Sequence, residues 1–245
     1  MFLLVIYAGL LHAAGTPRTA LSCKVTPPVI EVGSFYEGAS VRVEGVAAPR
    51  SRLIVTVAGS DREERFNQKA RLGPVWMSAG HVRISGAPSL FLQFSTDPVP
   101  SVEGRCFDET SIAARMRIDP PTAGAAALRA SFFALKKSDG TYVFSDRGVA
   151  IDEAGAYHVD FRWPKKAPPA EYQLHVYEVR GGAVTAEACA ALSVVRTGFP
   201  AWLADLAESR ASMYGVAAVL IGAFAGFCID LLTTRIFGKK RPPAH

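Results

Sequence analysis

Two histidines of this 245-residue chain have the spacing to form a metal site. His158 falls in a predicted strand over 157–163, and His175 falls in the next one, over 171–179. If the loop 164–169 joins these strands as a hairpin, the histidines stand opposite each other, with Cβ atoms about 5.5 Å apart, close enough to share a metal ion. If the strands belong to different sheets, the pair does not form and both are ordinary surface histidines, which is the interpretation we favour.

Trp76, Met77 and His81 form a second group, in which the thioether and the imidazole are ligands that copper prefers. The alternative interpretation is structural. In it, Trp76 anchors a β-sheet core, Met77 fills a gap and His81 begins a strand. We favour the structural interpretation.

Catalytic motifs are not found in the sequence. No G-x-S-x-G segment is present, and the adjacent acids Asp108 with Glu109 and Asp152 with Glu153 fall on predicted turns. Acid–base catalysis needs carboxylates that converge from different elements. We therefore expect a protein that is not an enzyme, and the sequence predicts no cofactor.

Four cysteines are present, at positions 23, 106, 189 and 228, without the C-x-x-C spacing of redox or zinc sites. Cys228 lies in an apolar segment and is expected to be a packing residue. In an oxidising compartment two of the other three could pair. The sequence favours Cys106 with Cys189, because Cys23 lies near the start of the exported chain.

These side chains lie between two apolar segments that point to a membrane. The stretch MYGVAAVLIGAFAGFCIDLL at 213–232 is long enough to cross a bilayer, and we predict a transmembrane helix over 213–234. An amphipathic lead-in over 198–212 precedes it. Arg235, Lys239, Lys240 and Arg241 follow, so the tail 235–245 is expected in the cytoplasm.

Small residues repeat along one side of this helix. Gly215, Ala218, Gly222 and Gly226 lie three, four or seven residues apart, and Asp230 falls one turn further on. Such a stripe allows a second helix to approach closely, and an ionisable residue facing lipid is costly. We therefore expect a partner, either a second copy of the chain or another integral membrane protein.

The N-terminal segment 2–11, FLLVIYAGLL, resembles the core of a secretory signal, and we predict a signal peptide over 1–22, with a retained membrane anchor as the alternative. Small residues permit cleavage after Gly15, with Ala13 two residues before it, or after Ser22, with Ala20 two residues before it. Lipidation of Cys23 is not expected, because a lipoprotein signal prefers leucine where Ala20 stands.

The intervening chain has the composition of a globular domain. Short alternating segments divided by Gly and Pro predict a mainly β fold with two immunoglobulin-like or β-sandwich-type modules, over 23–104 and 139–197. A helical connection over 105–138 separates them. The net charge of +5 includes no long basic block, so nucleic acid is not an expected partner.

Three stretches together resemble the Alph_Pro_TM family of bacterial transmembrane proteins. They are GSFYEGASVRVEGVA at 33–47, KARLGPVWMSAGHVRISGAPSLFLQFST at 69–96 and MYGVAAVLIGAFAGF at 213–227. The resemblance implies a single-pass protein of the bacterial inner membrane, with its bulk in the periplasm, and an association with sulfite-exporter-like permeases. It implies no catalytic residues.

The function expected from these features is that of a membrane-anchored periplasmic accessory protein of a transport system. The first alternative is a periplasmic module that binds a metal or another ligand. The second is an enzyme whose class has no local sequence motif.

Overall fold

The computed structural model describes residues 21–72, 74–98, 102, 107–121 and 124–237. Most of the predicted signal peptide, including the cleavage position after Gly15, lies outside these residues. The predicted partner Cys106 and the basic tail from Lys239 onward also lie outside them.

The mainly β prediction is confirmed, with strands throughout the chain before a helical C-terminal region. The strands are β1 (Lys24–Thr26), β2 (Val29–Val32), β3 (Ser40–Val46), β4 (Arg52–Ala58), β5 (Asp61–Leu72), β6 (Val75–Pro88), β7 (Phe91–Ser95), β8 (Arg117–Asp119), β9 (Tyr142–Ser145), β10 (Ala150–Ile151), β11 (Ala156–Arg162), β12 (Glu171–Arg180) and β13 (Ala183–Arg196). The helices are α1 (Glu109–Arg115), α2 (Ala125–Ser138), α3 (Gly198–Ser209) and α4 (Ala211–Phe237).

Each of the two larger sheets combines strands from the first part of the β region with strands from its last part. A four-stranded sheet has the order β1-β3-β11-β10, and a six-stranded sheet has the order β2-β13-β12-β4-β7-β9. Val43 of β3 is paired with Val159 of β11, and Val55 of β4 is paired with Val176 of β12. This arrangement differs from the predicted two modules in series, because Glu37–Val194 belongs to one compact unit. Period-two alternation identifies a half-buried strand but does not specify its partner.

Aromatic side chains connect these two sheets. Phe94 of β7 stacks on Phe161 of β11 with ring centroids 5.1 Å apart. The ring of Trp163, which follows β11, meets the Tyr172 ring of β12 edge-on at 4.8 Å. Both Trp163 and Tyr172 are fully buried. The inward faces of the two sheets therefore form one apolar core.

Tyr172 also closes the turn that leads into β12. Its hydroxyl donates a hydrogen bond to the Pro168 carbonyl, as expected for a tyrosine that caps a loop-to-strand corner. Gly181 and Gly182 form the hairpin turn between β12 and β13, and both residues have positive φ, as such a tight turn requires.

A second core lies under the helices α1 and α2. It joins buried side chains from both helices to β6, β7 and β9, namely Val82, Ile84, Ala87, Phe91, Ile112, Met116, Phe132, Phe133 and Tyr142. The region predicted as a helical connection over 105–138 contains both helices, α1 and α2. They are separated by β8, because Asp108 caps α1 and Met116 ends it and turns the chain into that strand.

Strands β5 and β6 form a long antiparallel ribbon that continues beyond the residues of β6 that pair with β8. β8 pairs only with 83–85 of β6, whereas β5 and β6 remain paired as far as Leu72 and Val75. At about 3.4 Å per residue, the stretch 66–72 extends for more than about 20 Å as two strands. Val75 and Met77 near the turn are 57% and 54% exposed.

The C-terminal region belongs to a second compact unit that comprises Val195 onward with Glu31–Tyr36. Helices α3 and α4 meet at Arg210, whose backbone leaves helical geometry while its N–H donates to the Leu206 carbonyl. The boundary therefore lies two residues before the predicted start of the span at 213, because Arg210 ends α3 and Ala211 begins α4.

Candidate functional site

The most distinctive functional surface is that of α4. Its segment Ala211–Arg235 has 25 residues with a mean hydropathy of 2.2, and no residue of its apolar window is buried. Among the described residues, α4 is the one helix long and apolar enough to cross a membrane. A fully exposed surface of this composition requires an apolar environment such as a lipid bilayer.

The predicted stripe of small residues lies on one side of α4. At about 100° per residue, Gly215, Ala218, Gly222 and Gly226 fall within an arc of about 80°. A methyl group placed on any of the three glycines would meet no described atom within 4 Å. The groove is therefore open along its length, and nothing in the described chain covers it.

Asp230 extends the same side of α4 by one further turn. Its position lies about 40° from that of Gly226 on the helix surface. The hydroxyl of Thr233, nearby on the helix, donates to the Ile229 carbonyl at 2.7 Å. A carboxyl group at this depth is expected to face protein or the membrane boundary, because ionisable groups facing lipid are costly.

Helix α3 has the amphipathic character that the sequence predicts. Phe199 and Trp202 lie side by side with ring centroids 5.7 Å apart, and both are exposed. Glu208 falls on the opposite side and Asp205 between the two sides, by helical spacing. Trp202 and Leu206 also line an apolar cleft of about 350 Å³ with Met213, Val216 and Leu220 of α4. Such a helix suits the interface between lipid and water.

The structure does not bring the two candidate metal-binding histidines together. His158 lies in the four-stranded sheet and pairs in register with Glu44, whereas His175 lies in the six-stranded sheet opposite Thr56 and Cys189. The loop 164–169 is thus a crossover between sheets. The described residues also contain no cluster of three or more His, Cys, Asp or Glu side chains arranged for a metal.

His175 has local partners on its own sheet. Its Nδ1 lies 2.8 Å from Glu187 Oε1, and its ring stacks nearly parallel on that of Tyr177 at 6.0 Å. The Tyr177 ring in turn contacts Phe107 at 5.1 Å. These contacts fix the imidazole as part of the outer face of the sheet.

His158 lines a cavity beside β1, which we call the edge cavity. The cavity has a volume of about 700 Å³, and its lining includes Cys23, Arg42, Glu44 and Tyr157. The Arg42 guanidinium binds Asp160 through two hydrogen bonds of 2.7 and 2.9 Å, and this contact lowers the pKa of the Asp160 carboxyl. The sequence alone does not reveal this cavity, because its walls come from strands more than 100 residues apart.

The Met77 and His81 pair is also separated. Both belong to β6, where residues four apart lie about 13 Å from each other, too far to share a metal. The interpretation of Met77 as a core gap filler is wrong, because its side chain is exposed near the end of the ribbon. His81 Nδ1 lies 2.6 Å from Asn67 Oδ1, in the middle of the strand rather than at its start.

Three of the four carboxylates singled out from the sequence, Asp108, Glu109 and Asp152, have structural partners. Asp108 accepts hydrogen bonds from the N–H and the hydroxyl of Thr110 as the α1 cap. Glu109 forms an ion pair with Lys137. Asp152 accepts the Ala156 N–H at 2.8 Å within a turn.

The three described cysteines, Cys23, Cys189 and Cys228, form no disulfide with one another. Burial raises the pKa of the Cys23 thiol, and a hydrogen bond with Tyr157 opposes this shift. The Cys23 side chain is thus held as a neutral thiol beside the Tyr157 hydroxyl. The predicted bond between Cys106 and Cys189 involves a residue outside the described range.

A family model described as "Putative transmembrane protein (Alph_Pro_TM)" matches residues 20–235 of this chain. The match covers α4 together with the compact unit formed by the strands up to Ile30 and by Glu37–Val194, which we call the β unit. Comparisons with curated proteins and with solved structures gave no match.

Proposed function

Because this chain belongs to the Alph_Pro_TM family of transmembrane proteins, we propose that it is a membrane-anchored accessory protein of an inner-membrane transport system. In this role α4 holds the protein in the bilayer and pairs with a helix of the transport protein. The β unit stands in the periplasm as an interaction domain. The observation that carries the proposal is the fully exposed, apolar surface of α4 with its open groove of small residues.

Charge supports this orientation. Arg235 ends the apolar segment and three more basic residues follow it in sequence, whereas Arg210 is the one basic residue within about ten positions before it. Lys and Arg close to a span favour the cytoplasmic side. This difference supports a cytoplasmic C-terminus and a periplasmic β unit.

The groove supports pairing through α4. Glycines at three- and four-residue spacing let two helix backbones approach closely, which increases the van der Waals contact between them. This contact is important in a lipid bilayer, because no hydrophobic effect drives helices together there. The proposed partner is a helix of a permease of the sulfite-exporter type, and a second copy of this chain is the alternative. The proposed role is binding rather than catalysis.

The test is purification of the full-length protein in mild detergent, with identification of co-purified integral proteins by mass spectrometry. A Gly222→Leu/Gly226→Leu variant should lose the permease while remaining in the membrane. Since Cβ atoms at these positions meet nothing within 4 Å, the substitutions leave the chain's own packing intact.

The matched control is Phe224→Leu/Cys228→Leu, which changes side chains about 180° and 220° from Gly215 on the helix surface. It should retain the partner. Recovery of only a second copy of this chain would replace the permease with self-association. Equal recovery from the glycine variant and the wild type would overturn pairing through this groove.

A second candidate function, ligand binding by the β unit, is favoured by the edge cavity of about 700 Å³. Its lining combines an imidazole, a thiol and a phenol with the charged side chains of Arg42 and Glu44 and the apolar ones of Val46 and Ile151, which suits a small molecule that has both polar and apolar groups. Native mass spectrometry of the full-length protein would test for a co-purified small molecule, and His158→Trp should displace it by filling part of the cavity.

A further inference from the structure

Ser22 is built into the β unit, although it lies at the end of the predicted signal peptide. Its N–H donates to the Val46 carbonyl at 3.0 Å, and its hydroxyl oxygen accepts the Val46 N–H at 2.9 Å. Ser22 therefore satisfies both backbone polar groups at the end of β3.

The Ser22 carbonyl has a partner on a third element. It accepts a hydrogen bond of 2.6 Å from the hydroxyl of Tyr157, whose side chain is buried. Burial raises the pKa of this phenol, so the hydroxyl keeps the proton that it donates. Ser22 thus joins β3 to β11 across the end of the sheet.

The residue at position 45 of β3 is glycine, which leaves the space that Ser22 occupies. A Cβ atom at position 45 would lie 2.0 Å from the Ser22 carbonyl oxygen, far inside van der Waals contact. Gly45 lies inside β3 and does not have positive φ, so space rather than backbone conformation requires glycine there. A glycine within a strand often marks such a close approach of another backbone.

Cleavage after Ser22 would remove all three contacts. The Val46 N–H and carbonyl would lose Ser22 as their partner, and the buried Tyr157 hydroxyl would lose the Ser22 carbonyl to which it donates. The new terminal ammonium would fall on Cys23, the residue before β1. Cleavage after Gly15 avoids each of these losses, because the residues from 16 onward stay attached.

We propose that the exported chain is processed by hydrolysis of the bond between Gly15 and Thr16, and that Ser22 is retained as part of the mature fold. A signal peptidase would direct water at the Gly15 carbonyl carbon, which leaves a carboxylate on Gly15 and an amine on Thr16. Ala13 and Gly15 supply the small residues that such an enzyme requires. Cys23 is then an internal residue, and its thiol carries no lipid. This inference rests on the proposed export of the β unit.

The experiment is to express the full chain with its own N-terminus, recover it from membranes through a C-terminal tag, and sequence the N-terminus of the product. The expected first residue is Thr16. A product that begins at Cys23, or one that still begins at Met1, overturns the assignment.

Protease treatment of spheroplasts separates this result from a failure of the proposed function. An uncleaved chain whose β unit is degraded from outside is exported but not processed, so only the cleavage assignment fails. An uncleaved chain whose β unit is protected contradicts the proposed orientation as well.

Two variants distinguish the candidate positions by the size of the product. Gly15→Tyr places a bulky residue at the proposed position and should leave the precursor uncut. Ser22→Leu blocks the rival position equally well, and its product should still begin at Thr16. If Ser22→Leu stops processing and Gly15→Tyr does not, the proposal is wrong.

Discussion

Lys136 of α2 and Glu64 of β5 form an ion pair at the edge of the second core, with the lysine Nζ donating to Glu64 Oε1. Lys136 is only 8% exposed. Its Nζ also lies 5.4 Å from the ring centroid of Phe132 and 5.9 Å from that of Tyr142. The pair therefore links the ribbon to α2 within an environment of aromatic rings.

We predict that Glu64→Gln lowers the free energy of unfolding by about 1–3 kcal/mol, because it leaves the Lys136 ammonium almost buried without a countercharge. Glu109→Gln is the matched control, since its partner Lys137 is the next residue and that pair is largely exposed. The control should cost about 0–1 kcal/mol. Urea titration in detergent, followed by circular dichroism, measures both, and equal losses would contradict the role assigned to Glu64.

The stability of the β unit should fall at alkaline pH because of its buried tyrosines. Burial raises the pKa of Tyr142 and Tyr157 well above the ordinary value of 10.0, and that of Tyr172 to about 12. The unfolded chain therefore loses these protons first. The stabilisation is complete below pH 10 and is lost progressively as the pH rises through 12.

Absorbance near 295 nm checks this expectation, because it follows phenolate formation directly. Tyr142, Tyr157 and Tyr172 should titrate only as the fold is lost, whereas the unfolded protein should titrate all of its tyrosines near pH 10. Titration of these three near pH 10 in the folded protein would contradict the assigned burial.

Leu220→Lys should weaken membrane insertion, because it places a charge in the middle of α4, where Leu220 is exposed. A lysine at the centre of a span costs about 2.5–3.5 kcal/mol. Extraction with alkaline carbonate should release a larger fraction of this variant than of Leu220→Phe, the apolar control. Equal retention of the two variants would show that the chain is held to the membrane by something other than α4.

Local patterns in the sequence predict most of the elements. The apolar length of α4, the alternation in β3 and β11, the helical spacing in α2 and the glycine pair at 181–182 each depend on neighbouring residues. The Tyr172 corner is also local, because the hydroxyl reaches only four residues back to Pro168. Each of these single elements can therefore be predicted from the residues next to it in the sequence.

The sequence does not predict the pairing of the strands. His158 and His175 fit a hairpin as well as a crossover, and only the membership of β11 and β12 in different sheets separates the histidines. Because the sequence does not predict which strands pair, it also suggests two modules in series where the structure has one compact unit. The ion pair between Lys136 and Glu64 joins residues 72 positions apart, and no local pattern indicates it.

The interleaved strand order also determines when an exported chain can fold. β3 and β4 come early but are paired with β11 and β12, and only 14 residues separate the end of β13 at Arg196 from the start of α4 at Ala211. If the chain is exported as proposed, the two sheets stay incomplete while most of it crosses the membrane. The last strand would then emerge almost as α4 halts translocation, so that the β unit assembles while it is already tethered to the bilayer.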